Sequence, residues 1–132
     1  MNIGDQITPR VFKINRVLLK QYANASGDQN PIHQDEVFAK SVGLPDVIAH
    51  GMLTMGLVAT YVCDWAGGSA NMKEYGARFT KPVIVPAGED TDLTVVGTIK
   101  ELSDSEVVLD LNATSKGVKV LGMARATVRK SI

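Results

Sequence analysis

At 132 residues, with 45% hydrophobic and 21% charged side chains, the chain has the composition of one ordinary globular domain with enough apolar material for a core. Fourteen basic residues balance fourteen acidic ones, so composition offers no argument for nucleic acid or an anionic membrane as partner. Cys63 is the sole cysteine, which excludes an intramolecular disulfide and a thiolate zinc cluster, and two histidines without an HExxH spacing do not announce a metal site.

The opening MNIGDQITPR lacks the charged-then-apolar profile of a secretory signal, so a cytoplasmic location is expected. RVFKIN (10–15) reads as a short strand. Asn15 can cap a helix whose apolar members are Val17, Leu18, Tyr22 and Ala25, and Gly27 ends it. QDEVFAKSV (34–42) reads as a second helix, with acids in its first turn and Gly43 beyond its end; GLPDVIA is loop.

GMLTMGLVATYVC (51–63) carries no charge. A helix apolar all round is expected to be buried all round, and Cys63 within it reads as a small buried hydrophobe. The run is too short for a bilayer span, which needs about 18 apolar residues. Val58, Thr60 and Val62 are β-branched, but the length favours a helix of about four turns, ended by Asp64, Gly67 and Gly68.

Beyond residue 70 the pattern alternates. Tyr75, Ala77 and Phe79 share a face, with Lys73, Arg78 and Thr80 exposed around them. Leu93, Val95, Gly97 and Ile99 form the next set, then Val107, Leu109, Leu111 and Ala113, then Val118, Val120, Gly122, Ala124 and Ala126. Period-two alternation implies strands with one buried face, and the turns SDSE (103–106) and SKG (115–117) make the sheet largely antiparallel. An antiparallel sheet and one apolar helix satisfy each other if the sheet wraps the helix. That is an α+β arrangement, the hot-dog fold, expected here as a single domain over residues 1–132. Such a sheet leaves an open edge, which pairing with a second copy would cover, so a dimer is expected.

The chemistry concentrates in SGDQNPIH (26–33). Gly27 permits a sharp turn after the helix, and Pro31 holds Asn30 extended. Asp28 and His33 are thus a candidate catalytic pair handling a water; the alternative is an Asx-type turn beside an unrelated histidine. Asn30 either braces the turn or orients the carboxylate. No Ser or Cys nucleophile stands nearby with a suitable partner, apart from Ser26 at the helix end, so covalent catalysis is disfavoured. At HGM (50–52) the apolar helix begins, and the Gly51 N–H is a candidate oxyanion donor. His50 reads as a cap or a hydrogen-bonded structural histidine rather than a second base.

In order along the chain, IGD (3–5), Tyr22 with SGDQNPIH and Ala39, AHGMLTMG (49–56) and RFTKPV (78–83) resemble the MaoC-like hydratases and their hydratase-2 motif. The resemblance covers nearly the whole chain. It implies a hot-dog fold with an overhanging segment, here about residues 20–50, and an (R)-specific enoyl-CoA hydratase or (3R)-hydroxyacyl-thioester dehydratase activity. It also implies that Asp28 and His33 bind the catalytic water, that Gly51 supplies the oxyanion N–H, and that single-domain members form dimers. Within the family, AHGMLTMG and the length look most similar to the small dehydratase subunits of bacterial long-chain fatty-acid elongation. No metal or redox cofactor is called for; CoA or acyl-carrier protein carries the substrate, and either a homodimer or a heterodimer fits. IVPAGEDTDL (84–93) is longer than the Pro-Gly-Asp turn usual at this point, a departure expected to bear on the mouth of the site. Arg78, Lys81, Lys116 and Lys119 read as solvated charges, with contact to CoA phosphates as the alternative. The rival functions are a hot-dog thioesterase and a non-catalytic subunit of a heterodimeric dehydratase.

Overall fold

The computed structural model describes residues 1–130. Strand β1 is Arg10–Ile14, and Asn15 then caps helix α1, Arg16–Ser26, by accepting the Leu18 N–H at 2.9 Å. A cap of this kind contributes about 1 kcal/mol. Gly27 closes α1 in the left-handed region at φ 81°, its N–H returning to the Ala23 carbonyl. The core side of α1 is Leu19 and Ala23, with Leu18 and Tyr22 packed beside them. Val17 and Ala25, expected on that face, are exposed, because the core side runs through Leu19 and Ala23, four residues apart on one line of the helix.

A single 3-10 turn, Pro31–His33, follows, and helix α2 covers Glu36–Ser41. It starts two residues later than its composition suggests because Asp35, not an earlier residue, caps it by accepting the Phe38 N–H. Residues 47–49 then run extended beside 83–85, with Val85 N–H donating to Val47 and Ala49 N–H to Val83.

Helix α3, Gly51–Ala66, is the four-turn helix expected, ended by Gly67 at φ 82°. Its buried face is Leu53, Thr54, Val58, Tyr61, Val62 and Ala66. It is not buried all round: Met52, Gly56, Thr60 and Asp64 form an exposed row, and Cys63 is half-buried rather than buried. Spacing of four residues puts those positions on one line along the helix, and one curved sheet covers only the opposite side.

The sheet consists of β2 (Met72–Phe79), β3 (Thr91–Leu102), β4 (Glu106–Ser115), β5 (Val118–Lys119) and β6 (Leu121–Arg129) together with β1. Its order is β1-β3-β4-β6-β2 with β5 on β4, and every pairing is antiparallel. It folds around α3, which packs against β2, β3 and β6, and the buried residues form a continuous core. This is the hot-dog arrangement. Each fully buried Val, Leu or Ile in it contributes about 1.5–3 kcal/mol.

The last strand departs from simple alternation. Val118 is exposed, Val120 and Leu121 are buried in succession, and Met123 sits at φ 50°. A break at Val120 and an irregularity at Met123 reset which face each side chain meets. Similarly Phe79, expected on the buried face with Tyr75 and Ala77, is 57% exposed. No helix among the described residues is long and apolar enough to cross a membrane.

Candidate active site

SGDQNPIH folds into a tightly braced loop. Ser26 Oγ accepts the Asp28 N–H at 3.1 Å, Asp28 Oδ1 accepts the Asn30 N–H at 3.1 Å, and Asn30 Oδ1 accepts the Ile32 N–H at 3.2 Å. Asn30 therefore braces the turn and caps the 3-10 turn with its side chain, while its backbone N–H orients the Asp28 carboxylate. Pro31 occupies the first position of that turn, where its missing N–H costs nothing. Asp28 is exposed at the loop, whereas His33 is 7% exposed.

His33 Nδ1 lies 2.7 Å from the Ile48 carbonyl. A carbonyl only accepts, so Nδ1 carries the proton and Nε2 keeps a free lone pair. Ile48 is held in turn by the bridge to Ile84 and by its N–H bond to Ile32. The imidazole is therefore fixed in orientation.

His50, at the N-cap position of α3, is 1% exposed and makes no side-chain cap bond. It donates from Nε2 to the Asp28 carbonyl at 3.2 Å, tying the loop to the start of α3. Its ring stacks on His33 with centroids 3.9 Å apart and meets Tyr22 edge-on at 4.8 Å. Burial pushes its pKa below 6.5, and the neighbouring His33 adds to the effect. With Nε2 donating, Nδ1 has no proton and, among the described residues, no partner. His50 is thus disfavoured as an imidazolium and ties the Asp28 loop to the start of α3.

Gly51 opens α3, so its N–H has no intrahelical acceptor and lies at the positive end of the helix dipole. Glycine leaves room there for a neighbouring ring. A Cβ would fall 3.0 Å from the Phe79 ring, which lies across the helix start. Next to this contact is a cavity of about 250 Å³. Its walls are His33, Ile48, Ala49, Gly51 and Thr54 on one side, Phe79 to Val83 on another, and Val120 and Leu121 behind. Asp28 and His50 do not line it.

The side-chain ligand atoms of Asp28, His33 and His50 lie within 4.8 Å of one another. That spacing between carboxylate and imidazole leaves room for one water bonded to both. It suits a metal poorly. Imidazole lone pairs lie in the ring planes, and rings inclined by only 24° carry them side by side rather than toward one point.

The longer 84–93 connection stays clear of the cavity. Its first residues pair with 47–49, its turn at Gly88 lies beside α1, and Asp90 accepts from the Asn15 side chain at 3.0 Å. The expectation that it shapes the mouth is not met.

A family profile, the MaoC like domain, matches residues 3–117. The chain belongs to the MaoC-like family. Over 77 residues it is 39% identical to 3-hydroxyacyl-thioester dehydratase X of Mycobacterium tuberculosis, a match covering 58% of this chain and 26% of that relative. The peroxisomal enoyl-CoA hydratase 2 of Arabidopsis thaliana is 40% identical over 60 residues, covering 44% of this chain and 19% of that one. Among solved structures, a MaoC-like dehydratase superposes with a TM-score of 0.96 at 41% identity, over 99% of this chain and 41% of the other. The (R)-hydratase of A. caviae gives 0.85 at 21% identity, covering 99% and 98%, a likeness of fold. This MaoC-like chain spans about a quarter of the length of dehydratase X.

Three contributors to the site were not legible as such in the sequence. Ile48 acts through its carbonyl, which any residue has. Phe79 looked like one more alternating strand residue. Arg16 donates to the Val85 carbonyl at 2.6 Å and to Asp46 at 2.8 Å, fastening α1 to the loop that carries Ile48; nothing in its local context signals this.

Proposed function

We propose that the protein catalyses reversible syn hydration of trans-2-enoyl thioesters to (3R)-3-hydroxyacyl thioesters, or the reverse dehydration. The observation that carries this reading is that His33 and Gly51, with its free N–H, line one largely apolar cavity while the Asp28 carboxylate lies within 4.8 Å of the His33 imidazole. In the proposed reaction the thioester carbonyl accepts the Gly51 N–H, which draws electron density from the double bond and makes Cβ electrophilic. A water held by Asp28 and His33 Nε2 adds its oxygen to Cβ. Asp28 takes the proton that the water loses and, as the carboxylic acid, returns it to Cα on the same face as the enolate collapses. Atoms balance as enoyl thioester plus water. Acid–base handling supplies about 10² to 10⁴-fold, and one oxyanion donor about 2.7–4 kcal/mol.

The carrier is CoA or an acyl-carrier protein, and the site requires no metal or redox cofactor in this scheme. Residues 1–132 act as one hot-dog domain, supported by the single continuous core. We also propose a homodimer, with a heterodimer as the alternative, and a cytoplasmic setting. The exposed apolar side chains Met52, Phe79 and Met123, together with the free edge of β2, favour a second chain as cover. A thioesterase fits less well, because the acid on α3, Asp64, sits in its last turn paired with Arg10 at 2.6 Å, away from the cavity. A purely structural subunit would have no use for the Asp28–His33–Gly51 set. Hydration of crotonyl-CoA, followed by loss of the enoyl absorbance, tests the reading; release of free thiol without hydration would favour the thioesterase.

A further inference from the structure

Thr54 stands at the end of the first turn of α3, is 3% exposed and is one of the cavity walls. A threonine inside a helix ordinarily turns its hydroxyl back onto the carbonyl four residues earlier, as Thr60 does, donating to Gly56 at 3.0 Å. For Thr54 that carbonyl belongs to His50, and it is already taken twice. It accepts the Leu53 N–H at 3.1 Å and the Thr54 N–H at 3.2 Å, which uses both lone pairs. The Thr54 hydroxyl has no hydrogen-bond partner among the described residues, yet the one fully buried side-chain polar atom without a partner there is His50 Nδ1. The hydroxyl therefore meets open space, and the space its residue lines is the cavity.

Its place on the helix decides what it can reach. Residues three apart share one face, and side chains lean toward the helix N-terminus, so Thr54 overlies the turn that begins at Gly51. Gly51 has no side chain to come between them, and its own N–H is unpaired at that end. The other polar groups of the lining are engaged. Thr80 donates its hydroxyl to the Lys119 carbonyl at 3.0 Å, and His33 Nδ1 is bonded to the Ile48 carbonyl at 2.7 Å. Thr54 is left as the free hydroxyl of the cavity.

We propose that the Thr54 hydroxyl is a second donor to the thioester carbonyl, forming with the Gly51 N–H a two-donor oxyanion hole. The inference rests on the thioester reading of the cavity. As the water oxygen bonds to Cβ, the π electron pair moves through Cα onto the carbonyl oxygen. That oxygen has lone pairs for two donors, and both bonds strengthen as its negative charge grows. Neither donor gives up its proton. The electron pair returns when Cα takes the proton from Asp28, so Thr54 ends the cycle as it began. A hydroxyl rotates freely about its C–O bond and can follow the oxygen through this change.

Infrared difference spectroscopy with butyryl-CoA, isotope-labelled at the thioester carbonyl, tests the contact without reaction, because a saturated acyl chain cannot be hydrated. The proteins are the wild type, Thr54→Val and Thr54→Ser, with Thr54→Ala as a second hydroxyl-free variant and circular dichroism as the check of folding. The wild type and Thr54→Ser should hold the carbonyl stretch at a lower frequency than the hydroxyl-free variants, since each donor weakens the C=O bond. For crotonyl-CoA hydration, Thr54→Val should lose at least about tenfold in kcat with little change in KM, while Thr54→Ser stays within about threefold. An unchanged stretch or an unchanged kcat in a folded hydroxyl-free variant overturns the proposal. So does a loss of the same size in Thr54→Ser, which keeps the donor and changes only packing. A wild-type stretch no lower than that of the free thioester in buffer overturns both the proposal and the thioester reading beneath it. A hydroxyl-dependent shift in a protein that fails to hydrate crotonyl-CoA upholds the two-donor site and refutes the hydration alone.

Discussion

The rings of His33 and His50 stack with centroids 3.9 Å apart and planes inclined by 24°. His33 bonds the Ile48 carbonyl and His50 holds the Asp28 carbonyl, so the stack joins His33 to the loop that carries Asp28. Two imidazolium charges at this distance repel, and burial already disfavours the charge on His50.

That arrangement makes stability depend on pH in a definite sense. The folded pKa of His50 lies below the 6.5 of the unfolded chain. Above 6.5 neither state binds the proton, and His50 adds no slope. As pH falls through 6.5 toward the folded value, the unfolded state takes up a proton first, so the stability falls. Thermal melts between about pH 8 and 5 should show a shallower loss of Tm for His50→Gln than for the wild type. Identical slopes would mean that His50 is not held neutral.

The contact between Gly51 and Phe79 predicts a coupled pair. Gly51→Ala places a methyl where the Phe79 ring lies and should cost about 1–3 kcal/mol by urea denaturation. In Gly51→Ala/Phe79→Ala the clash disappears, so a double-mutant cycle should return a coupling of about 1 kcal/mol or more. Additive effects would show that the ring simply swings away.

Arg16 should matter beyond its charge. It bonds the Val85 carbonyl and Asp46, both partly buried, and lies 3.8 Å from Glu36. Arg16→Met leaves the Asp46 carboxylate with the Val47 N–H alone and should cost about 2 kcal/mol, and Arg16→Lys should recover only part, lacking the fork. Hydrogen exchange at residues 46–49 should rise in both variants; protection unchanged from the wild type would rule out the clamp.

How far the sequence reveals this molecule depends on the range of each signal. Local devices read through: the Asn15 cap, Gly27 and the loop around Asp28, Asn30 and Pro31 rest on backbone chemistry within a few residues. The strand pattern gave the wrapped sheet but failed after Val118, because an irregularity at Met123 leaves no trace in period-two spacing. Uniform hydrophobicity in α3 announced a central helix and could not say which side the sheet covers. The tie from His50 to the Asp28 carbonyl spans 22 residues and ends on a backbone atom, so no residue type signals it.

The exposed row on α3 gives a prediction about assembly. Met52 is 58% exposed and Met123 73%. Sedimentation should give about twice the 14.1 kDa of one chain, and Met52→Glu, which places a charge in that surface, should shift the mass toward one copy. A wild type that sediments as a monomer at micromolar concentration would remove the homodimer.

The central claim is that Asp28 and His33 together hold the attacking water. The most direct measurement is kcat for crotonyl-CoA hydration by Asp28→Asn and His33→Gln, each checked for wild-type folding by circular dichroism. Each variant should lose at least about 10²-fold in kcat with little change in KM, because the lost interactions act in the transition state. Activity within tenfold of the wild type in either folded variant would contradict the claim.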